Sequence, residues 1–160
     1  NSVVGIFQKH EPLIGTLELE KGLTSDAVLA VVRDDLKGVG FTVESGKTTA
    51  QKIKRPVFFG QNAVPDLQFE IDAYHDQWHC GLEIEAGRAF MGNAVYRDLI
   101  QALVMVGLET LILAVPNAYR FKTNDRATTS KDYDNTIAVA DALYGHSRIK
   151  MPYRLLVVGY

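Results

Sequence analysis

The chain has a single cysteine, Cys80, among its 160 residues. That excludes an internal disulfide framework and any zinc site built on several thiolates, and it favours a reducing compartment, so a cytoplasmic protein is expected. No apolar run approaches the roughly 18 residues that a membrane-spanning helix needs, and the N-terminus has no signal-peptide pattern. Charge excess is also missing: 17 Lys and Arg stand against 19 Asp and Glu, for a net charge of -2. No global field draws the chain to nucleic acid or to an anionic membrane, so binding to either must come from a local patch. There is no repeat, no low-complexity tract, no P-loop, no G-x-S-x-G elbow, and no linker long enough to divide the chain. With 47% apolar residues, residues 1–160 are expected to form one domain with a proper core.

Within that frame the elements follow from periodicity. "TSDAVLAVVRDDLKGVG" offers Thr24 or Ser25 as a cap, Val28, Leu29, Val32 and Leu36 at helical spacing, and Gly38 as a stop. "FTVES" from Phe41 and "PVFFG" from Pro56 read as strands on either side of a Lys-rich loop. "LQFEIDAYH" and "GLEIEA" alternate apolar and polar residues as half-buried strands do, and they are close enough to form a hairpin. "NAVYRDLIQALVMVG" then reads as a helix and "TLILAVP" as a fully buried strand. A polar, irregular stretch is expected from Arg120 to Lys131, followed by a helix over "DYDNTIAVADALYG" and a closing strand over "YRLLVVGY". The order αβββαβαβ predicts an α/β fold, a mixed sheet flanked by helices.

The segment "EIDAYHDQWHCGLEIEAGR" carries the acids Glu70, Asp72, Glu83 and Glu85. With a tight turn centred on Gln77 and Trp78, Asp72 falls opposite Glu83 and Glu70 opposite Glu85, all on one face. Phe69, Ile71, Ala73, Leu82, Ile84 and Ala86 would then fill the other face. Acids facing each other at about 5 Å repel by about 3 kcal/mol per pair at an effective dielectric near 20. Solvent, a cation from elsewhere, protonation or a bound divalent cation can offset that cost. The plain alternative is a solvated acidic face. His75, His79 and Cys80 surround the turn but lack further ligands for a metal, so exposed turn residues are expected there. Trp78 is placed either to touch DNA or to cap the hairpin. Ser130, Asp141 and His146 form no recognisable nucleophile motif.

The run "PDLQFEIDAYHDQWHCGLEIEAGR", with a helix and the buried "LILAV" after it, resembles the PD-(D/E)XK nuclease superfamily, the restriction-endonuclease-like fold, over roughly residues 24 to 115. The resemblance implies an αβββαβ core, here with a C-terminal αβ, in which Asp72 and Glu83 hold Mg²⁺, for which Mn²⁺ can substitute. Glu85 stands where Lys is usual. The BamHI and BglII kind has that variation, so Glu85 is expected to position or deprotonate the attacking water. Relatives often place another acid on the first helix, for which Asp34, Asp35 and Glu44 are candidates. The implied activity is Mg²⁺-dependent hydrolysis of DNA phosphodiester bonds, with Asp72, Glu83 and Glu85 as catalytic residues and double-stranded DNA as partner. Since a palindromic cut needs two sites, a homodimer is an option. The alternatives are a catalytically silent nucleic-acid binder of the same fold and an interaction module.

Positive charge is distributed to suit such a substrate. From Ser45 to Val64 there is no acid, while Lys47, Lys52, Lys54 and Arg55 fall in or beside one loop, which is either a phosphate-contacting loop or an exposed loop kept soluble by Lys. Arg88 follows the acid motif and can neutralise an anion. Arg97 and Gln101 lie one helical turn apart on the next helix, where they can reach a phosphate or Arg97 can instead make a salt bridge at the edge of the core. Arg120, Lys122, Arg126 and Lys131 offer a second contact surface.

Overall fold

A computed structural model describes residues 2–17, 22–87, 89–123 and 126–160. In chain order the elements are α1 (Ser2–Ile14), α2 (Ser25–Gly38), β1 (Thr42–Val43), β2 (Ile53–Phe59), β3 (Pro65–Ile71), β4 (Ala73–His75), β5 (Cys80–Ile84), α3 (Ala94–Val104), β6 (Thr110–Val115), β7 (Tyr119–Thr123), β8 (Arg126–Ser130), α4 (Asp132–Gly145) and β9 (Arg154–Gly159). Short 3₁₀ turns flank β2 at Thr49–Gln51 and Gln61–Ala63. None of the described helices is long and apolar enough to cross a membrane.

The α/β class expected from the pattern holds: helices cover both faces of a mixed five-stranded sheet ordered β1-β4-β5-β6-β9. β1, β4 and β5 run antiparallel, and β5, β6 and β9 parallel, with α3 as the crossover from β5 to β6. One core packs α1 and α2 on Leu82, Ile84, Ile112 and Ala114. The second packs α3, with part of α4, on Leu111, Leu113 and Tyr153.

α2 starts where the sequence signals it, with Thr24 Oγ1 accepting the Ala27 amide, and buries Val28, Leu29, Val32 and Leu36. Just beyond it Gly40 is required on two counts. Its φ is +102°, and a Cβ there would come within 2.6 Å of His75 Nε2. α1 lies outside the expected order. Gly5 and Pro12 weaken its helical pattern, and it is held by packing of Val3, Ile6, Phe7 and Ile14, with Lys9 and His10 both on Asp35.

The predicted hairpin forms between β4 and β5, with Ala73 opposite Leu82, Tyr74 opposite Gly81 and His75 opposite Cys80. That is the expected register. It does not extend to Glu70, because the chain bends at Asp72 and β3 leaves the sheet to pair with β2 in a separate ribbon. Glu70 therefore faces Lys54 on β2, and the Glu70–Glu85 pairing is corrected. The bend also splits the expected apolar face: Ala73 joins the α1/α2 core, while Ile71 turns to the α3 side. There Ile71 closes over Gly81, where a Cβ would lie 2.4 Å from Ile71 Cδ1.

Two further corrections concern turns and loops. His75 and Cys80 are buried, not exposed: the His75 ring stacks on Trp78 at 3.9 Å, accepts the Trp78 amide at Nδ1 and donates from Nε2 to the Val39 carbonyl. The stretch expected to be irregular forms the antiparallel ribbon β7–β8. β7 does alternate, Tyr119 and Phe121 with Arg120 and Lys122, so its signal was present, whereas β8, RATTS, carries no apolar alternation.

Candidate active site

β5 lies between two strands and under helices on both faces, so every residue from Cys80 to Ile84 is buried. Its even-numbered residues enter the α1/α2 core, which sends Glu83 towards α3. One residue beyond the ladder, the register sets Asp72 across from Glu83. The bend lets the Asp72 side chain accept the Ile84 amide through Oδ2 at 2.8 Å, while its carbonyl accepts the Glu44 amide at 2.8 Å. Asp72 thus ties the end of β1 to the end of β5. From the other side α3 contributes Arg97, Asp98 and Gln101.

These residues line a cavity of about 480 Å³, together with Glu44, Lys52, Gln68 and Glu70. Among the described lining residues, five carboxyls, Glu44, Glu70, Asp72, Glu83 and Asp98, face two cations, Lys52 and Arg97. Lys52 Nζ lies 2.8 Å from Glu44 and 3.6 Å from Glu70. Arg97 Nη2 reaches Glu85 at 2.6 Å and Asp98 at 2.9 Å. No cation is paired with Asp72 or Glu83 among the described residues.

The uncompensated charge is visible in the acidities. Burial, then the charges of Glu44 and Asp98, pushes Asp72 up to about 6, against the opposing pull of the Ile84 amide. Burial pushes Glu83 well above the usual carboxylate range, with Asp72, Asp98 and Glu85 adding to it. Glu85 is pushed up to about 8 by burial and by Asp98. Asp98 is itself raised by burial. Its Oδ2 is buried without a donor as the carboxylates stand. A proton held on Glu85 satisfies it, since the two carboxyls can then share that proton.

The remaining expected residues divide clearly. Glu44 is the extra acid in the cavity; Asp34 is exposed and Asp35 is taken by Lys9 and His10. Lys52, Arg97 and Gln101 line the cavity. Lys54 is exposed on β2, and Lys47 pairs at the surface with Asp26 at 3.0 Å. Arg55 is turned elsewhere: it lies over the Tyr74 ring at 3.8 Å and donates to the Val106 carbonyl. Arg88 lies outside the described residues. Of the second basic group, Arg120 donates to the carbonyls of Thr16 and Leu17, and Arg126 and Lys131 are exposed. For Lys122 only its place in β7 is described. Asp98 was the residue missed, and its signal was present. It falls on the same helical face as Val95, Leu99 and Ala102, an acid inside an apolar stripe.

No family model, curated protein or solved structure matches this chain. Among the described residues no three His, Cys, Asp or Glu side chains stand together as a ready metal cage. Mg²⁺ does not need one: it typically takes one or two carboxylates and fills its octahedron with water and phosphate oxygens. Asp72 and Glu83, facing each other, unpaired with any described cation and offering hard oxygen donors, fit that demand.

Proposed function

We propose that this chain is a Mg²⁺-dependent endonuclease of restriction-endonuclease-like fold that hydrolyses phosphodiester bonds of double-stranded DNA. The observation that carries the reading is the convergence of Asp72 and Glu83 on one cavity, whose described lining holds five carboxyls and two cations. Connection order adds support. With the β2–β3 ribbon set aside as an excursion, α2, β1, β4, β5, α3 and β6 follow in the αβββαβ order that the resemblance implies.

Asp72 and Glu83 would hold the ion, with Glu44 behind them on Lys52. The bound ion would supply Lewis-acid polarisation of the phosphate and make a water more acidic. Glu85 does not itself line the cavity but is tied to Arg97, which does; it is the candidate to position the water, and it would act as general base after giving up the proton that burial and Asp98 hold on it at neutral pH. The Arg97 side chain is more than half exposed, so its guanidinium can contact a phosphate oxygen while it holds Glu85. Gln101, one turn on, offers an amide to the same group.

The alternative, a silent nucleic-acid binder, draws on Glu85 standing where Lys is usual. Conversion of supercoiled plasmid in Mg²⁺ or Mn²⁺, with Asp72→Ala as control, separates the two. Cutting by the wild type alone supports the proposal. Equal products from both proteins, or none from either, would overturn it.

A further inference from the structure

The parallel strands β5, β6 and β9 end side by side, and beyond their carboxyl ends lies a second cavity, of about 830 Å³. Open α/β sheets bind ligands at that edge, and the volume falls within the roughly 300–1,000 Å³ of small-molecule sites. Buried Thr16, Pro116 and Tyr160 form its floor, while exposed Thr24, Arg120 and Ala127 stand at its mouth. Tyr119 and Phe121, two apart on β7 and so on one face of the ribbon, line it with ring centroids 5.4 Å apart and planes 16° from parallel. Ala86, Gly87 and Ala118 are small and leave room against the rings. Charge sets this cavity apart from the acid one: among its described lining residues there is no acid, and Arg120 is the one cation. α2 adds its amino end through Thr24 and Ser25, where first-turn amides lack carbonyls of their own helix. Asp26, the acid of that turn, is drawn off to Lys47.

We propose that this cavity takes one unstacked nucleobase, with its phosphate, from a DNA strand that runs on out of the acid cavity. A base inside a duplex has both faces covered by its neighbours, so only an unstacked one offers a face to Tyr119 and Phe121. Its phosphate suits the positive end of α2 and Arg120, which the carbonyls of Thr16 and Leu17 fix at the mouth. An apolar guest would use the rings and not the charge; a nucleotide uses both. Position agrees. Glu83 lines the acid cavity and Ala86 this one, so at most roughly 11 Å of chain separates them, a span of about three stacked nucleotides. Between them Tyr160, on the floor of the second cavity, donates from its phenol to the Glu85 carbonyl at 2.6 Å. A strand whose phosphate sits by Asp72 and Glu83 therefore passes the end of β5 with the rings within reach. The choice of a nucleic-acid strand rests on the nuclease reading; the ring-lined cavity free of described acids does not.

Binding in chelator tests the site without cutting. With the wild type, deoxyadenosine 5′-monophosphate should shift the amide resonances of Gly87, Ala118 and Phe121, and deoxyribose 5-phosphate, which lacks the base, should shift them far less. A labelled single strand of about ten nucleotides, followed by fluorescence anisotropy, should bind the wild type and Phe121→Tyr alike and Phe121→Ala roughly tenfold or more weakly. Phe121 is only half-buried, so both variants should fold, and the nucleotide titration needs no variant. Weaker binding of Phe121→Ala to a fully paired duplex as well would show a base drawn out of the helix; a loss on the single strand alone would show a base taken already free, and either supports the site. Silent resonances at millimolar nucleotide, equal shifts from the sugar phosphate, or unchanged affinity of Phe121→Ala for the single strand would overturn the proposal. Failure of the nuclease reading looks different: nucleotide binding intact at these residues, with no Asp72-dependent cutting of plasmid in Mg²⁺.

Discussion

Replacing Glu83 by Gln keeps the shape of a residue that is only 9% exposed and removes the charge that Asp72, Asp98 and Glu85 oppose. The native Glu83 carboxyl is raised well above its usual range, so the native state holds a proton that the unfolded chain releases near pH 4.5. Its contribution is therefore most favourable at and below the unfolded pKa and is lost as pH climbs towards the native one. Gln has no proton to hold. The metal-free variant should match the wild type near pH 4.5, then gain about 1.4 kcal/mol for each pH unit over which only the native carboxyl stays protonated. In a chain of this size that is roughly 4 °C in Tm per pH unit. Asp72 and Glu85 titrate in both proteins, so the difference between the two curves carries the information. At about pH 7.5, Mg²⁺ at a hundredfold excess over its Kd should stabilise the wild type by about 2.7 kcal/mol, roughly 8 °C, and the variant by far less. Thermal melts at constant ionic strength, in chelator and in Mg²⁺, measure both effects. A gap that does not change with pH, or an equal Mg²⁺ shift in the two proteins, would refute the reasoning.

Asp72→Asn should lower plasmid cutting by about a hundredfold or more while the circular dichroism spectrum is kept, and activity near that of the wild type would remove Asp72 from the chemistry. Lys54→Ala should flatten the salt dependence of duplex binding by about 0.9 in slope without changing Tm, because Lys54 is exposed on β2; an unchanged slope would mean that Lys54 touches no phosphate. With Glu83 raised well above the usual carboxylate range, Mg²⁺ binding at about pH 7 should release protons as that ligand ionises. Calorimetry in two buffers of different ionisation enthalpy would show it, and equal apparent enthalpies would count against carboxylate ligands.

Local pattern determined much of this protein. Helix α2 with its Thr24 cap, helices α3 and α4, the buried strand β6, the closing strand β9, and the β4–β5 register that sets Asp72 across from Glu83 all follow from periods of two and 3.6 residues and from a tight turn. Those signals live within a dozen or so residues, so they can be read without knowing what lies across the core. What tertiary structure alone decided involves partners far apart in sequence. The bend at Asp72 exists because its side chain replaces a strand carbonyl for the Ile84 amide and its own carbonyl takes the Glu44 amide. No alternation in residues 65 to 75 could announce that β3 would leave for β2. The same bend brings Glu44 and Lys52 to the cavity, turns Ile71 to the opposite core and leaves Glu70 on the ribbon. Arg55 shows the limit of counting charge along a chain, since the Tyr74 ring and the Val106 carbonyl turn it away from the acids its neighbour Lys52 meets. Periodicity says which side of an element is buried. Which buried groups meet is set by how the elements pack, and here that packing assembles Asp98, Glu83 and Asp72 from α3, β5 and the bend before β4 into one cavity.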